Sequence, residues 1–293
     1  MLTLTDVIQT YTDDLGREVV YGYADEVSIQ TNETLEEWRE TKRLREAIRN
    51  GPIQNYVNCY HESAASLNNV LSVDELGAIM KLITYIKMNT GGALYYEGKR
   101  MNNALMAKAI GKGARQTTTI ASTLHRVGVL SREKVGRSFV YNVEDRYHSM
   151  GYVVKGEQYT KVMQVKTRTD VRNLSVQAAG VLYKMLPFFN YEHFYLCTNP
   201  NEAEEDAIYP ISHRQFADLV VVDRNVIDRG VKELMRFGFI GKFSSSNGEL
   251  YAVNPDIATR RKNIYDETSE KMRGMFRMAT KQAVSVRKSE LPF

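Results

Sequence analysis

The feature that most constrains this chain is an internal repeat, because a unit present twice must fold twice on the same plan. Residues 56–81 (YVNCYHESAASLNNVLSVDELGAIMK) align with residues 159–184 (YTKVMQVKTRTDVRNLSVQAAGVLYK) at a constant offset of 103. Tyr56, Leu71-Ser72-Val73, Gly77 and Lys81 recur as Tyr159, Leu174-Ser175-Val176, Gly180 and Lys184. Further on the offset becomes 110, and residues 104–130 lie over residues 214–240. In that register Ala107, Leu124, Arg126 and Gly128 recur as Ala217, Leu234, Arg236 and Gly238. The seven extra residues fall in TNPNEAEEDA, an acidic loop.

Both copies give the same order of elements. A strand-like segment, 53–60 or 159–165, comes first. An apolar helix follows behind a serine that can cap its free N–H groups, Ser72 or Ser175. In the first copy Leu76, Ile79, Met80, Ile83 and Ile86 recur at spacings of three and four. Two shorter helices come next. In the first copy they are NNALMAKAI and ARQTTTIASTLHRVG, broken at Gly111-Lys112-Gly113, where a turn needs positive φ. In the second copy Ser212 and Asp223 are the expected caps. Gly128 and Gly238 stand where left-handed glycines end helices. Each copy closes on two strands and a turn, VLSREK-VGR-SFVYNV and FIGKFSS-SNG-ELYAVN, the latter with an Asn247-Gly248 hairpin signal.

Three helices followed by a hairpin predict an α+β chain of two tandem winged-helix domains, each a helix-turn-helix with an added β-hairpin. The expected boundaries are an acidic N-terminal hairpin and helix extension over 1–52, a first domain over 53–146 and a linker over 147–158. A second domain follows over 159–256, and a basic C-terminal helix and tail over 257–293. The 293 residues suffice for two ordinary domains.

Charge is unevenly placed. The N-terminal fifty residues hold 11 acids and 6 bases, a net of −5. From Lys99 to Arg137 there are 9 bases and one acid, Glu133, a net of +8, and no acid lies between Gly98 and Arg132. The segment 258–293 carries 9 bases and 4 acids. Basic clusters of this kind commonly meet phosphate. In the second helix of the first pair, Thr117, Ile120, Leu124 and Val127 face inward, while Arg115, Gln116, Thr118, Thr119, Ser122 and Arg126 are the candidates to read a major groove. Lys99, Arg100, Lys108 and Lys112 flank them, and Arg132, Lys134 and Arg137 lie on the hairpin, placed for backbone or minor-groove contact. The corresponding face of the second copy offers Arg224, Asn225, Arg229 and Lys232. There Asp228 would repel phosphate unless Arg224 or Lys232 pairs with it.

Catalytic signals are weak. Gly111-Lys112-Gly113 lacks the spacing of a phosphate loop. His61, His125, His148, His193 and His213 are scattered. Cys59 and Cys197 form neither a disulfide framework nor a zinc site and are expected to be reduced and buried. No catalytic residue, metal, cofactor or small-molecule ligand is expected, and no run is apolar enough to cross a bilayer. The polar start of the chain is not that of a signal peptide, so a cytoplasmic location is expected. The stretch 266–284 reads as a helix with Met272, Met275, Phe276 and Ala279 on one stripe, expected to dock on the second domain or to mediate a homodimer.

The L-S-x-x-E/A-x-G-x-x-x-K helix, the pair ending L-x-R-x-G-F/V-I/L, and the hairpin ending Tyr251-Ala252-Val253-Asn254 together resemble winged-helix proteins of Firmicute phages and plasmids, both replication initiators and MarR-like regulators. The likeness covers residues 53–262, about two thirds of the chain, and the second copy carries it most fully. It implies sequence-specific binding of double-stranded DNA in transcription regulation or DNA replication. The alternative is a winged-helix protein-interaction module that docks on a replication or transcription machine.

Overall fold

Side-chain caps start most of the helices. The computed structural model describes residues 9–12, 18–21, 39, 42, 55–245 and 248–289. They fall into two units, Met1–Pro52 and Ile53–Phe293. In the first, β1 (Gln9–Thr12) pairs antiparallel with β2 (Glu18–Tyr21), Gln9 opposite Tyr21. The helix expected over LEEWRETKRLREAIRN lies outside the described residues except for Arg39 and Lys42, which are helical and exposed.

The second unit begins with β3 (Tyr56–Tyr60) and α1 (His61–Asn68). Next comes α2 (Val73–Leu82), which tightens into a 3-10 turn over Ile83–Tyr85. Ser72 accepts from the Glu75 amide while the Glu75 carboxylate accepts from the Ser72 amide, a reciprocal cap. A small hairpin, β4 (Tyr95–Tyr96) with β5 (Lys99–Arg100), leads to α3 (Asn103–Ile110) and α4 (Ala114–Arg126). Asn102 caps α3, and Gly111 ends it in the left-handed region at φ 79°. Gly113, expected to share that conformation, instead opens α4 from extended backbone. The antiparallel pair β6 (Leu130–Val135) and β7 (Ser138–Val143) follows, then β8 (His148–Ser149).

The second half repeats the order: β9 (Tyr159–Met163), α5 (Gln164–Val171), α6 (Val176–Met185), α7 (His213–Leu219), α8 (Arg224–Arg236), β10 (Ile240–Ser245) and β11 (Gly248–Val253). Ser175, Ser212 and Asp223 cap α6, α7 and α8. β12 (Ala258–Thr259) and α9 (Glu267–Ser289) complete the chain. The fold class is thus α+β, with small antiparallel sheets. The offset of 110 holds in burial as well, since 121–130 and 231–240 alternate between buried and exposed in the same pattern.

The halves share one core. β3 and β9 pair antiparallel, Tyr56 opposite Met163 and Tyr60 opposite Tyr159, at the centre of a four-stranded sheet ordered β12-β9-β3-β8. Above the sheet α2 crosses α6 at two glycines. A Cβ on Gly77 would stand 2.9 Å from the Gly180 nitrogen, and one on Gly180 would stand 2.8 Å from the Val73 carbonyl carbon, with the facing carbonyl oxygens closer still. The contact is reciprocal, Gly77 meeting Val176 and Gly180 meeting Val73. Lys81 Nζ donates to the Leu174 carbonyl (2.7 Å), and Lys184 Nζ donates to the Asn68 carbonyl (3.1 Å). Gly77, Gly180, Val73 and Val176 therefore meet across an approximate two-fold axis, so these four recurrent residues share one contact.

That packing revises the expected linker. His148 and Ser149 pair with Cys59 and Asn58, and residues 147–150 are buried, so this stretch is part of the sheet and not a free tether. The two halves are held by the shared core, and their separation does not depend on the reach of the connector. In α9, Met272 and Phe276 are buried, and Phe276 meets the edge of Phe243 on β10 with ring centroids 5.8 Å apart. Arg273 binds Asp256 (2.7 Å) and Glu270 (2.7 Å). The helix thus docks on the second half, while Met275 stays exposed.

Candidate nucleic-acid interface

α4 is amphipathic because Thr117, Ile120, Ala121 and Leu124 are buried at spacings of three and four. Its opposite face carries Arg115, Gln116, Thr118, Thr119, Ser122 and Arg126, all exposed. Val127, expected on the inward stripe, is half-buried beyond the helix end. The Thr118 hydroxyl donates to the Ala114 carbonyl (3.0 Å) and that of Thr119 to the Arg115 carbonyl (3.2 Å), so only their lone pairs remain open, as acceptors. His125 is braced by its Nδ1 against the Leu130 carbonyl (3.0 Å), which ties α4 to the following strand.

The hairpin after α4 turns at Gly136 and Arg137, with Lys134 opposite Phe139 and Arg132 opposite Tyr141. Arg132, Lys134 and Arg137 are exposed, and Arg132 lies 4.6 Å from the Phe139 ring centroid. Lys99 and Lys108 are also exposed. Two of the expected residues are partly committed elsewhere. Lys112 pairs with Asp74 at 3.1 Å, and Arg100 donates to Asn142 Oδ1 (2.8 Å) and lies 3.8 Å from Glu133. Asp74 is 38 residues from Lys112, so no local sequence signal announces that pair. Lys99, Lys108, Arg115, Arg126, Lys134 and Arg137 have no ion pair among the described residues.

The same face in the second half is partly neutralised. Arg224 grips Asp218 with two hydrogen bonds (3.0 and 2.7 Å), which holds the Asp218 carboxyl below its ordinary range. Lys232 pairs with Asp228 at 2.7 Å and lowers that carboxyl too, with His213 adding to the effect. Of the two partners the sequence offers Asp228, Lys232 takes it. Arg229 donates to the Asn225 carbonyl (3.2 Å), and Lys242 pairs with Glu249. α8 is also clamped to its own half. Glu233 accepts from the Ser175 hydroxyl (2.7 Å) and amide, and a Cβ on Gly230 would stand 2.7 Å from Val181 on α6.

Cys59 and Cys197 are free and buried, and burial raises both thiols. Among the described residues no cluster of His, Cys, Asp or Glu could hold a metal ion, and no helix is long and apolar enough to cross a membrane. No family model, curated protein or solved structure matches this chain.

Proposed function

We propose that each half of residues 53–256 is a winged helix and that the chain binds double-stranded DNA sequence-specifically, with the first half leading. In this reading α4 enters the major groove and presents Arg115, Gln116 and the hydroxyl acceptors to base edges. Lys134 and Arg137 hold the backbone from the hairpin. The observation that carries the reading is the set of exposed, unpaired cations on α3, α4 and the β6–β7 hairpin, with a single acid among them. A solvated face of a soluble protein ordinarily mixes signs. The role that follows is a transcription regulator or replication initiator of a phage or plasmid, working in the cytoplasm without catalysis.

Binding of a labelled duplex, measured by anisotropy against salt, tests this. If about 5–8 phosphates are neutralised, log K falls against log salt with a slope of several units, at ~0.9 per contact. Absence of duplex binding at low salt refutes the reading. Recovered genomic fragments then separate the roles. Sites upstream of genes indicate regulation, and clustered sites at one origin indicate initiation.

A protein-docking module is the second reading, favoured by the internally paired charges of α8 and the acidic loop at Glu202–Asp206. Assembly with a protein partner in the presence of nuclease would support it. Pairing of two chains through α9 or the second half is compatible with either reading and is read out by sedimentation.

A further inference from the structure

A second cationic surface lies at the seam between the halves, away from α4 and α8. Arg168 on α5 and Arg172, the residue that ends that helix, belong to the second half and lie over aromatic rings of the first. Arg168 sits 5.4 Å from the centroid of Tyr85, and Arg172 sits 6.0 Å from Tyr85 and 5.8 Å from Tyr96. Tyr85 and Tyr96 stack on each other at 5.4 Å. Arg172 Nε donates to the Tyr85 hydroxyl (3.1 Å), and the Arg168 Nε is shielded from water with no partner. Next to them Lys87 caps the ring of Tyr95 at 4.8 Å, with Arg100 5.7 Å from the same ring.

Two guanidiniums one helical turn apart repel each other, and neither forms an ion pair among the described residues. The ring faces offset part of that repulsion, since the negative face of an aromatic ring attracts a cation. Glu97 is the one carboxylate acting on Arg172. Tyr85 is only 3% exposed, so its ring offers no face to a nucleobase and serves as a platform for the cations. With its Nε bonded to the Tyr85 hydroxyl, Arg172 keeps its two terminal nitrogens without a hydrogen-bonding partner among the described residues, and such N–H groups fit phosphate oxygens. Arg172 and Lys87 are exposed, while Arg168 is half-buried and its burial disfavours the charged form. Arg100 connects this patch to the β6–β7 hairpin through Asn142 and Glu133.

Resting on the duplex-binding reading above, we infer that Arg168, Arg172 and Lys87 form a phosphate-binding face at the seam, which takes the backbone of the same duplex beyond the segment held by α4. Both halves then contribute to the grip of the first half's site, without any base being read by the second.

The test compares the salt dependence of binding to one random-sequence duplex of about 30 base pairs, long enough to pass the α4 site. The full chain is used throughout. Arg172→Gln is expected to lower the slope of log K against log salt by about 1, and Arg168→Gln/Arg172→Gln by about 2, at ~0.9 per lost contact. Arg172→Lys, which keeps the charge but not the fork, should restore most of the slope. A purely structural role for Arg172 would instead show as a lower unfolding midpoint with an unchanged slope. Lys87→Gln removes an exposed cation with no hydrogen-bonding partner, so it reports on the same face even if the α5 variants do not fold. Slopes of Lys87→Gln and of folded Arg172→Gln equal to wild type, while Arg115→Gln still weakens binding, overturn the seam proposal and leave the duplex reading standing. If the unmodified chain binds no duplex, the parent reading fails instead.

Discussion

Replacing Gly180 with alanine isolates the contact that joins the two halves. On helix propensity alone the change should stabilise, because alanine is favoured over glycine by about 1 kcal/mol in a helix interior. Packing opposes it. The new Cβ would stand 2.8 Å from the Val73 carbonyl carbon and 2.9 Å from Val73 Cγ1. The first obstacle is backbone, which cannot rotate away, so α2 and α6 must separate. Insertion of a methylene into a tight core typically costs about 1–3 kcal/mol, occasionally more, and an obstacle of backbone puts this site at the upper end. After the propensity gain the net expectation is a loss of about 2 kcal/mol. Gly274 on α9 is the matched control, since a Cβ there meets nothing within 4 Å. Gly274→Ala should gain about 0.5–1 kcal/mol. Urea unfolding of both variants decides the matter through their midpoints at constant m-value. A neutral or stabilising Gly180→Ala would refute the close crossing.

Other outcomes follow from single sites. Val221 is 89% exposed and holds φ at 52°, where the first half has Gly111, so Val221→Gly should raise stability by about 0.5–1 kcal/mol by removing left-handed strain of ~1–2 kcal/mol at some cost in chain entropy; calorimetry checks this. His148 is wholly buried, and desolvation lowers its pKa to about 3. The unfolded chain binds that proton near pH 6.5 and the folded chain does not, so stability falls as pH drops from about 6.5 towards 3, by up to ~1.4 kcal/mol per unit. His61, which burial also lowers to about 3, contributes in the same direction, so the slope of the urea midpoints over that range should fall in His148→Gln without vanishing, and an unchanged slope would exclude His148 as a cause. Arg115→Ala should weaken duplex binding by about 1–3 kcal/mol and alter sequence preference, whereas Lys134→Ala weakens all sequences alike. Parallel binding to a panel of duplexes separates the two.

Elements marked by a cap or a periodic stripe were legible in the sequence. Ser72, Ser175, Ser212 and Asp223 announce four helices, and the turn VGR between two strand-like segments announces a hairpin. α1 and α5 carry no such signal. HESAASLN buries only Ala64 and Leu67, and QVKTRTDV buries Gln164 and Thr167 beside Val171, so neither has a readable apolar stripe. The repeat was visible in Leu-Ser-Val, Gly and Lys. That these residues face one another is a matter of three-dimensional packing, which no local spacing encodes. The candidate face of α4 could be read from its period. The partners that neutralise Arg224 and occupy Lys112 could not, because Asp218 and Asp74 lie on other helices.

The crossing of α2 and α6 also bears on how such a chain can change over generations. A dimer of identical subunits must carry every substitution on both sides at once. Here each half is encoded separately, so any surface not involved in the junction can drift alone. The junction cannot, since a larger side chain at either glycine collides with the other half's backbone. The two halves therefore keep the same residues at this junction. Where they do not, the counterpart of Arg115 is Asn225, and that of Thr118 is Asp228. One chain thereby carries two dissimilar faces on a repeated framework.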